Sequence, residues 1–163
     1  MESTQKKIVL TGGGSAGHVT PNLALVPGLL SHGIDVHYVG TADGIEKTLV
    51  HDIPFHAISA GKMRRYASLK NVTDIFKIFK GTKEAKQILK ELRPDLVFAK
   101  GGFVYVPVVW AAAKLKIPVI LHESDYTPGL ANRLCIKKAQ KICLSFDTEE
   151  ARFSGSTLTG SPI

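Results

Sequence analysis

The chain has 163 residues, 44% of them hydrophobic and 21% charged, and a formal net charge of +7. These values describe one soluble globular domain long enough to bury a full core. They leave no room for a membrane span of roughly 18 apolar residues: the longest apolar run, Phe103 to Ala113, is broken by Pro107 and flanked by Lys100 and Lys114.

Met1 to Gln5 leads straight into a strand, so no secretory signal is expected. Ile8, Val9 and Leu10 are apolar and β-favouring, as in a strand covered on both faces of a parallel sheet. Gly12, Gly13, Gly14 and Gly17 then let the backbone turn and approach a ligand closely. Thr20 and Pro21 read as the N-cap and first residue of a helix running from Asn22 to about Ser31. The turn therefore aims free N–H groups and a helix dipole at one spot, which suits a phosphate or another oxygen-rich ligand.

Gly12, Gly14 and Gly17 match G-x-G-x-x-G literally, so a nicotinamide-dependent oxidoreductase enters as a rival. A dinucleotide fold wants an acid at the end of the second strand to hold a ribose. Here Val36 to Val39 ends in Gly40-Thr41-Ala42, and Asp43 comes late. His18 follows the last glycine just ahead of a helix N-terminus, where the dipole favours its neutral form, as a general base near pH 7 requires. A surface histidine at a loop end has the same local sequence.

A short helix near Ile45 to His51 and a third strand at Phe55 to Ile58 follow. Between Lys62 and Arg93 ten Lys or Arg residues face only Asp74, Glu84 and Glu91, a charge that suits a polyanion or a plain solvated face. The long helix Leu69–Leu92 has one core stripe of Ile78, Thr82, Ala85, Leu89 and Leu92, with Gly81 a candidate kink. Its first half carries too many apolar groups for one stripe, interleaved with Lys70, Lys77 and Lys80. Two readings stay open: Phe76 and Phe79 lie exposed beside lysines, as on an anionic membrane surface, or both sides pack internally.

Pro94-Asp95 stops that helix, and Leu96 to Ala99 is the fourth strand. Lys100-Gly101-Gly102-Phe103 repeats the glycine turn at a strand end and opens another helix. Ile117 to Leu121 is the fifth strand, followed by His122-Glu123-Ser124-Asp125 and then a helix containing Asn132. Lys141 to Ser145 and Thr157 to Thr159 complete a Rossmann-like, doubly wound parallel α/β sheet of six or seven strands over residues 1–159, with 160–163 read as the start of a linker. Ligands gather at the carboxyl ends of such strands, where Gly12–His18, Gly101-Gly102 and His122–Asp125 all fall. Cys135 and Cys143 read as reduced core residues, and no metal-ligand spacing occurs, so no metal and no cofactor are expected.

Gly12 to Pro21, Gly101-Gly102-Phe103-Val104 with Pro107, His122-Glu123, and Pro128-Gly129-Leu130-Ala131-Asn132 together resemble the N-terminal half of the bacterial peptidoglycan GlcNAc transferases. The resemblance covers the whole chain and implies half of a two-domain GT-B fold with an inverting, metal-independent reaction. It implies transfer of GlcNAc from UDP-GlcNAc to undecaprenyl-pyrophosphoryl-MurNAc-pentapeptide, in cell-wall synthesis that underlies cell shape and division. It makes His18 the candidate general base on the acceptor's 4-hydroxyl. Gly13, Gly14, Gly17, His18, Lys100, Gly101, Gly102, Phe103, His122 and Glu123 would hold the acceptor, and Ser15, Ala16, Gly17 and Asp125 the donor. Lys62, Arg64, Arg65, Lys70, Phe76, Lys77, Phe79 and Lys80 would seat the protein on the cytoplasmic face of the membrane, and no nucleic acid is expected.

This sequence departs from the family in two places. The family often has Asn where Asp125 stands; a carboxylate can accept from a sugar hydroxyl but not donate, and it disfavours a nearby diphosphate. The family's C-terminal domain, which carries most donor contacts, has no counterpart in the 163 residues. The chain alone is therefore expected to be inactive. A free-standing, membrane-recruiting subunit of a split enzyme, or a related membrane glycolipid glycosyltransferase, are the alternatives.

Overall fold

The computed structural model describes residues 5–61, 69–126, 129–147 and 155–162, with only the backbone for 69–72. Seven strands form one parallel sheet in the order β3-β2-β1-β4-β5-β6-β7. They are β1 (Lys7–Thr11), β2 (Asp35–Thr41), β3 (Phe55–Ile58), β4 (Leu96–Lys100), β5 (Val119–Glu123), β6 (Lys141–Leu144) and β7 (Ser156–Leu158). The helices are α1 (Ala16–Ser31), α2 (Ile45–Leu49), α3 (Leu69–Leu92), α4 (Tyr105–Lys114) and α5 (Leu130–Cys135), which runs into a 3-10 turn at Ile136–Lys138.

Alternate side chains of each strand point to opposite faces, and both faces are covered. Val9, Val39, Val97 and Leu121 pack with Ile78, Ala85 and Leu89 of α3 and with Val106, Val109 and Ala112 of α4. Leu10, Val36 and Tyr38 pack on the other face against Val19 and Val26 of α1. The expected α3 stripe is therefore the buried one: Ile78, Thr82, Ala85 and Leu89 are all at most 4% exposed, and Leu92 is half-buried at its end. At Gly81 the helix runs on without a break, and a Cβ there would lie 1.8 Å from the Ser59 carbonyl oxygen. That glycine lets α3 close on the segment after β3, where a kink was expected. Arg93, at φ 50°, and Pro94 end the helix. Cys135 and Cys143 are free thiols, and no described helix is long and apolar enough to cross a membrane.

Two of the boundaries that differ from the sequence expectation bear on the site. α1 starts at Ala16, with Ser15 as an extended N-cap (φ −150°, ψ 155°), so Thr20 and Pro21 lie inside the helix. Thr20 turns its hydroxyl back onto the Ala16 carbonyl, and Pro21 forgoes only the bond to Gly17. β5 runs two residues further than expected, which draws His122 and Glu123 into the sheet. The strand order reverses between β1 and β4, so the turns after those two strands meet at the topological switch point.

Candidate functional site

The first glycine turn is built over a polar layer. Tyr38 donates its hydroxyl to the Gly12 carbonyl at 2.9 Å, and Asn22 Nδ2 donates to the Thr11 carbonyl and to Tyr38 Oη at 3.2 Å each. A Cβ on Gly12 would lie 2.0 Å from the Lys100 carbonyl oxygen, so the ends of β1 and β4 touch through bare backbone. The acid missing from the end of β2 enters from α2 instead. Glu46 is fully buried; its Oε1 accepts from Thr41 N (2.9 Å) and Thr41 Oγ1 (2.6 Å), and its Oε2 accepts from Gly14 N (3.2 Å). Sequence reasoning missed Glu46. Its one signal is the crowd of small residues it needs: a Cβ on Gly13, Gly40 or Gly44 would come within 2.5 Å of its side chain. With Gly14's N–H spent on Glu46, one of the donors a dinucleotide's pyrophosphate would use is already taken.

His18 is the third residue of α1, inside its first turn rather than ahead of the helix. The second glycine turn packs beneath its ring. A Cβ on Gly101, at φ +62°, would lie 1.9 Å from His18 Nδ1, and one on Gly102 would lie 2.1 Å from the Gly13 carbonyl oxygen. The two turns are thus interlocked, with His18 as the keystone. Its Nδ1 is buried without a hydrogen-bond partner, while the ring lines two clefts. Burial pushes the His18 pKa below the usual histidine value; the Asp125 charge opposes this and the Lys100 charge adds to it. A neutral imidazole held this way can accept a proton at Nε2.

Two clefts meet at His18, Gly102 and Phe103. The larger, about 840 Å³, runs from Gly13, Gly14 and Ser15 across to Asp74 and Lys77 of α3. The smaller, about 280 Å³, is bordered by Gly101, Tyr105, Glu123, Ser124, Asp125 and Asn132. Ala16 and Gly17 line neither, but they are the first two residues of α1, whose N–H groups have no partner within the helix.

Lys100 and His122 require a correction. Lys100 is fully buried, and its Nζ donates to His122 Nδ1 at 2.9 Å; neither residue lines a cleft. Because the Gly160 carbonyl can only accept, His122 Nε2 carries the proton and donates to it at 2.8 Å. Burial lowers the pKa of both groups. Together they tie the segment after β7 to the turn beneath His18, and both side chains are closed to solvent. Glu123 is also buried: it accepts from Asp125 N at 2.9 Å and from Asn132 Nδ2, and Asn132 Oδ1 in turn accepts from Tyr105. Burial raises its pKa, against the bonds it accepts. Asp125 itself is exposed on the rim.

Phe76 is 70% exposed and Phe79 55%, and Lys77 and Lys80 stand beside them in solvent. The reading in which both sides of α3 pack internally therefore fails at these two rings. Lys62, Arg64, Arg65 and Pro128 lie outside the described residues, as does the side chain of Lys70. Among the described residues no cluster of His, Cys, Asp or Glu is placed to hold a metal ion.

Residues 8–144 match the glycosyltransferase family 28 N-terminal domain. The chain is 57% identical over 163 residues to the UDP-N-acetylglucosamine–N-acetylmuramyl-(pentapeptide) pyrophosphoryl-undecaprenol N-acetylglucosamine transferase of Lachnoclostridium phytofermentans, covering 97% of this chain and 46% of that one. The enzyme of the same name from Clostridium tetani is 53% identical, covering 98% and 46%. The chain thus spans about half the length of the curated relatives it matches. The crystal structure of Acinetobacter baumannii MurG superposes with a TM-score of 0.81 at 32% identity, over 96% of this chain and 45% of that one. UDP-N-acetylglucosamine 2-epimerase from Rickettsia bellii gives a TM-score of 0.69 at 13% identity, over 96% and 45%, a likeness of fold alone. The sheet is that of one half of a GT-B glycosyltransferase, and the family match spans six of its seven strands: the chain belongs to the glycosyltransferase family 28 N-terminal domains.

Proposed function

We propose that this chain is the acceptor half of an inverting, metal-independent glycosyltransferase. The intact enzyme moves N-acetylglucosamine from UDP-N-acetylglucosamine to undecaprenyl-pyrophosphoryl-MurNAc-pentapeptide in peptidoglycan synthesis. The observation that carries this reading is His18 itself, its ring at the junction of two clefts and its pKa held down by burial, which favours the neutral base. The larger cleft takes the acceptor, with its pyrophosphate toward the free N–H groups of α1's first turn. The donor sugar comes from the side of the smaller cleft, where Asp125 accepts a hydrogen bond from a hydroxyl. The acceptor's 4-hydroxyl oxygen attacks the anomeric carbon, its proton passes to His18 Nε2, and the bond to the UDP oxygen breaks with its electron pair leaving on UDP. The Asp125 charge, which raises the His18 pKa, favours the imidazolium as it forms. Most donor contacts belong to the second domain, so this half alone holds an acceptor and does not turn over.

The exposed rings of Phe76 and Phe79 beside Lys77 and Lys80 support peripheral seating on the cytoplasmic face of an anionic membrane, where the lipid carrier lies. The first test is co-sedimentation of this chain with anionic vesicles, with and without the lipid-linked acceptor. Acceptor-enhanced, salt-sensitive binding is expected, and equal sedimentation with and without acceptor overturns the acceptor reading. In a full-length enzyme carrying this domain, His18→Ala lowers kcat by about 10²–10⁴-fold, the range for a general base. A loss below tenfold assigns His18 to structure.

A further inference from the structure

We propose that Glu46 is a positioning residue: it holds the first glycine turn from within and, through the interlocked turns, sets the ring of His18. The consequence for catalysis rests on the transfer function proposed above; the structural part does not. Three observations carry it. First, the carboxylate serves three donors on two segments, Thr41 N and Oγ1 at the end of β2 and Gly14 N in the turn after β1. Among the described residues it pairs with no lysine or arginine, so backbone and hydroxyl donors alone meet its charge. Second, the fold clears space for it: Gly13, Gly40 and Gly44 each lack the Cβ that would strike its side chain.

Third, the path from Glu46 to His18 is close-packed at each step. Glu46 bonds to Gly14; the Gly13 carbonyl lies where a Cβ of Gly102 would be; and Gly101 lies directly under His18 Nδ1. A shift of the Gly13-Gly14 backbone is therefore felt at the second turn and at the imidazole packed on it. Glu46 also stands where an anion would otherwise take the Gly14 N–H. A phosphate oxygen cannot use that donor without expelling a buried carboxylate, so Glu46 keeps the turn formed before any ligand arrives and leaves the pyrophosphate to the first turn of α1.

The test is Glu46→Gln, read by NMR on this chain. Gln has the same length and shape, but when its oxygen faces Thr41 its NH2 group faces Gly14, and the reverse. Oxygen toward Thr41 keeps two of the three donors, so the NH2 faces Gly14, whose amide proton should move upfield and exchange at least about tenfold faster, the equivalent of one lost hydrogen bond. The His18 ring and the Gly101 and Gly102 amides should shift with it. Inorganic pyrophosphate should perturb the Ala16 and Gly17 amides in the wild type and leave Gly14 unmoved. If Glu46→Gln does not fold, Thr41→Val removes only the 2.6 Å hydroxyl bond and should shift the same residues by less. In a full-length enzyme Glu46→Gln should lower kcat toward hundredfold, the scale of a misplaced catalytic group, with donor KM little changed. An unmoved Gly14 amide with an unshifted His18 ring overturns the proposal, as does pyrophosphate binding at the Gly14 amide. A wild-type chain that gives the NMR result but binds no lipid-linked acceptor overturns the transfer function and leaves the positioning role standing.

Discussion

Gly101→Ala tests whether the second glycine turn exists to seat His18. The glycine is at φ +62°, and a left-handed conformation costs a residue with a Cβ about 1–2 kcal/mol. In a chain of this size each kcal/mol lowers Tm by about 2–4 °C, so the backbone alone accounts for a fall of about 2–8 °C. The added methyl would lie 1.9 Å from His18 Nδ1, 2.4 Å from Cγ and 2.5 Å from Cε1, against the 3.4 Å at which ordinary contact begins. The ring must therefore move by about an ångström or more. Because the imidazole borders open clefts it can swing outward, so folding stability loses little beyond the backbone cost. Chemistry loses far more, since an ångström of misplacement costs about 10²-fold in rate. The control is Gly33→Ala, at φ +71° with nothing within 4 Å of the place its methyl would occupy, which bears the backbone cost alone. The assays are thermal unfolding of both variants, the NMR shifts of the His18 ring, and kcat in a full-length enzyme. An unshifted His18 ring in Gly101→Ala, or equal catalytic loss in the two variants, would refute the reasoning.

Replacing both Phe76 and Phe79 with Ser should weaken binding to anionic vesicles by more than tenfold, since a buried Phe side chain contributes about 1.5–3 kcal/mol. Stability should fall only modestly, because Phe76 is exposed and Phe79 packs on one side against Trp110; a large drop in Tm would mean they are core. Lys100→Met should lower stability by about 1–3 kcal/mol by leaving His122 Nδ1 without its donor, with acceptor binding unchanged. A selective loss of acceptor affinity would return Lys100 to the binding site. The unfolding free energy should rise between pH 5.5 and 7.5. Burial lowers the pKa of His18, His56 and His122 in the folded state, so below about pH 6.5 the unfolded chain binds more protons at these three groups and stability is lost as pH falls. Glu123, raised by burial, opposes this as one group against three. Urea titrations at the two pH values check this, and a flat or falling trend contradicts it.

The sheet was legible because parallel strands covered on both faces are continuous apolar runs ended by glycine, as at Ile8 to Leu10 and Leu96 to Ala99. The long helix was legible through the period of Ile78, Thr82, Ala85 and Leu89. The start of α1 was not. Thr20-Pro21 has the composition of a cap, while the true N-cap, Ser15, makes no side-chain cap bond and is set by the extended backbone leaving the turn. At the site, the two glycine turns and His18 could be found because backbone approach and a titratable ring at a helix start both leave local marks.

What the sequence could not separate was ligand contact from strut. Lys100 and His122 follow or end strands next to glycine or acidic residues, as site residues do, yet they are paired in register on β4 and β5 and spend their nitrogens on each other and on Gly160. Glu46 bonds to a glycine 32 residues away, so no window of sequence contains the interaction. A polar residue beside a glycine turn belongs to the chemistry only if it keeps an atom unspent, and that depends on partners brought in by the fold. Lys100, His122 and Glu46 are each spoken for by other protein groups. Among the described residues the His18 ring borders both clefts, so the residue whose local sequence fits an idle surface histidine equally well is the one placed where the proposed proton transfer needs a base.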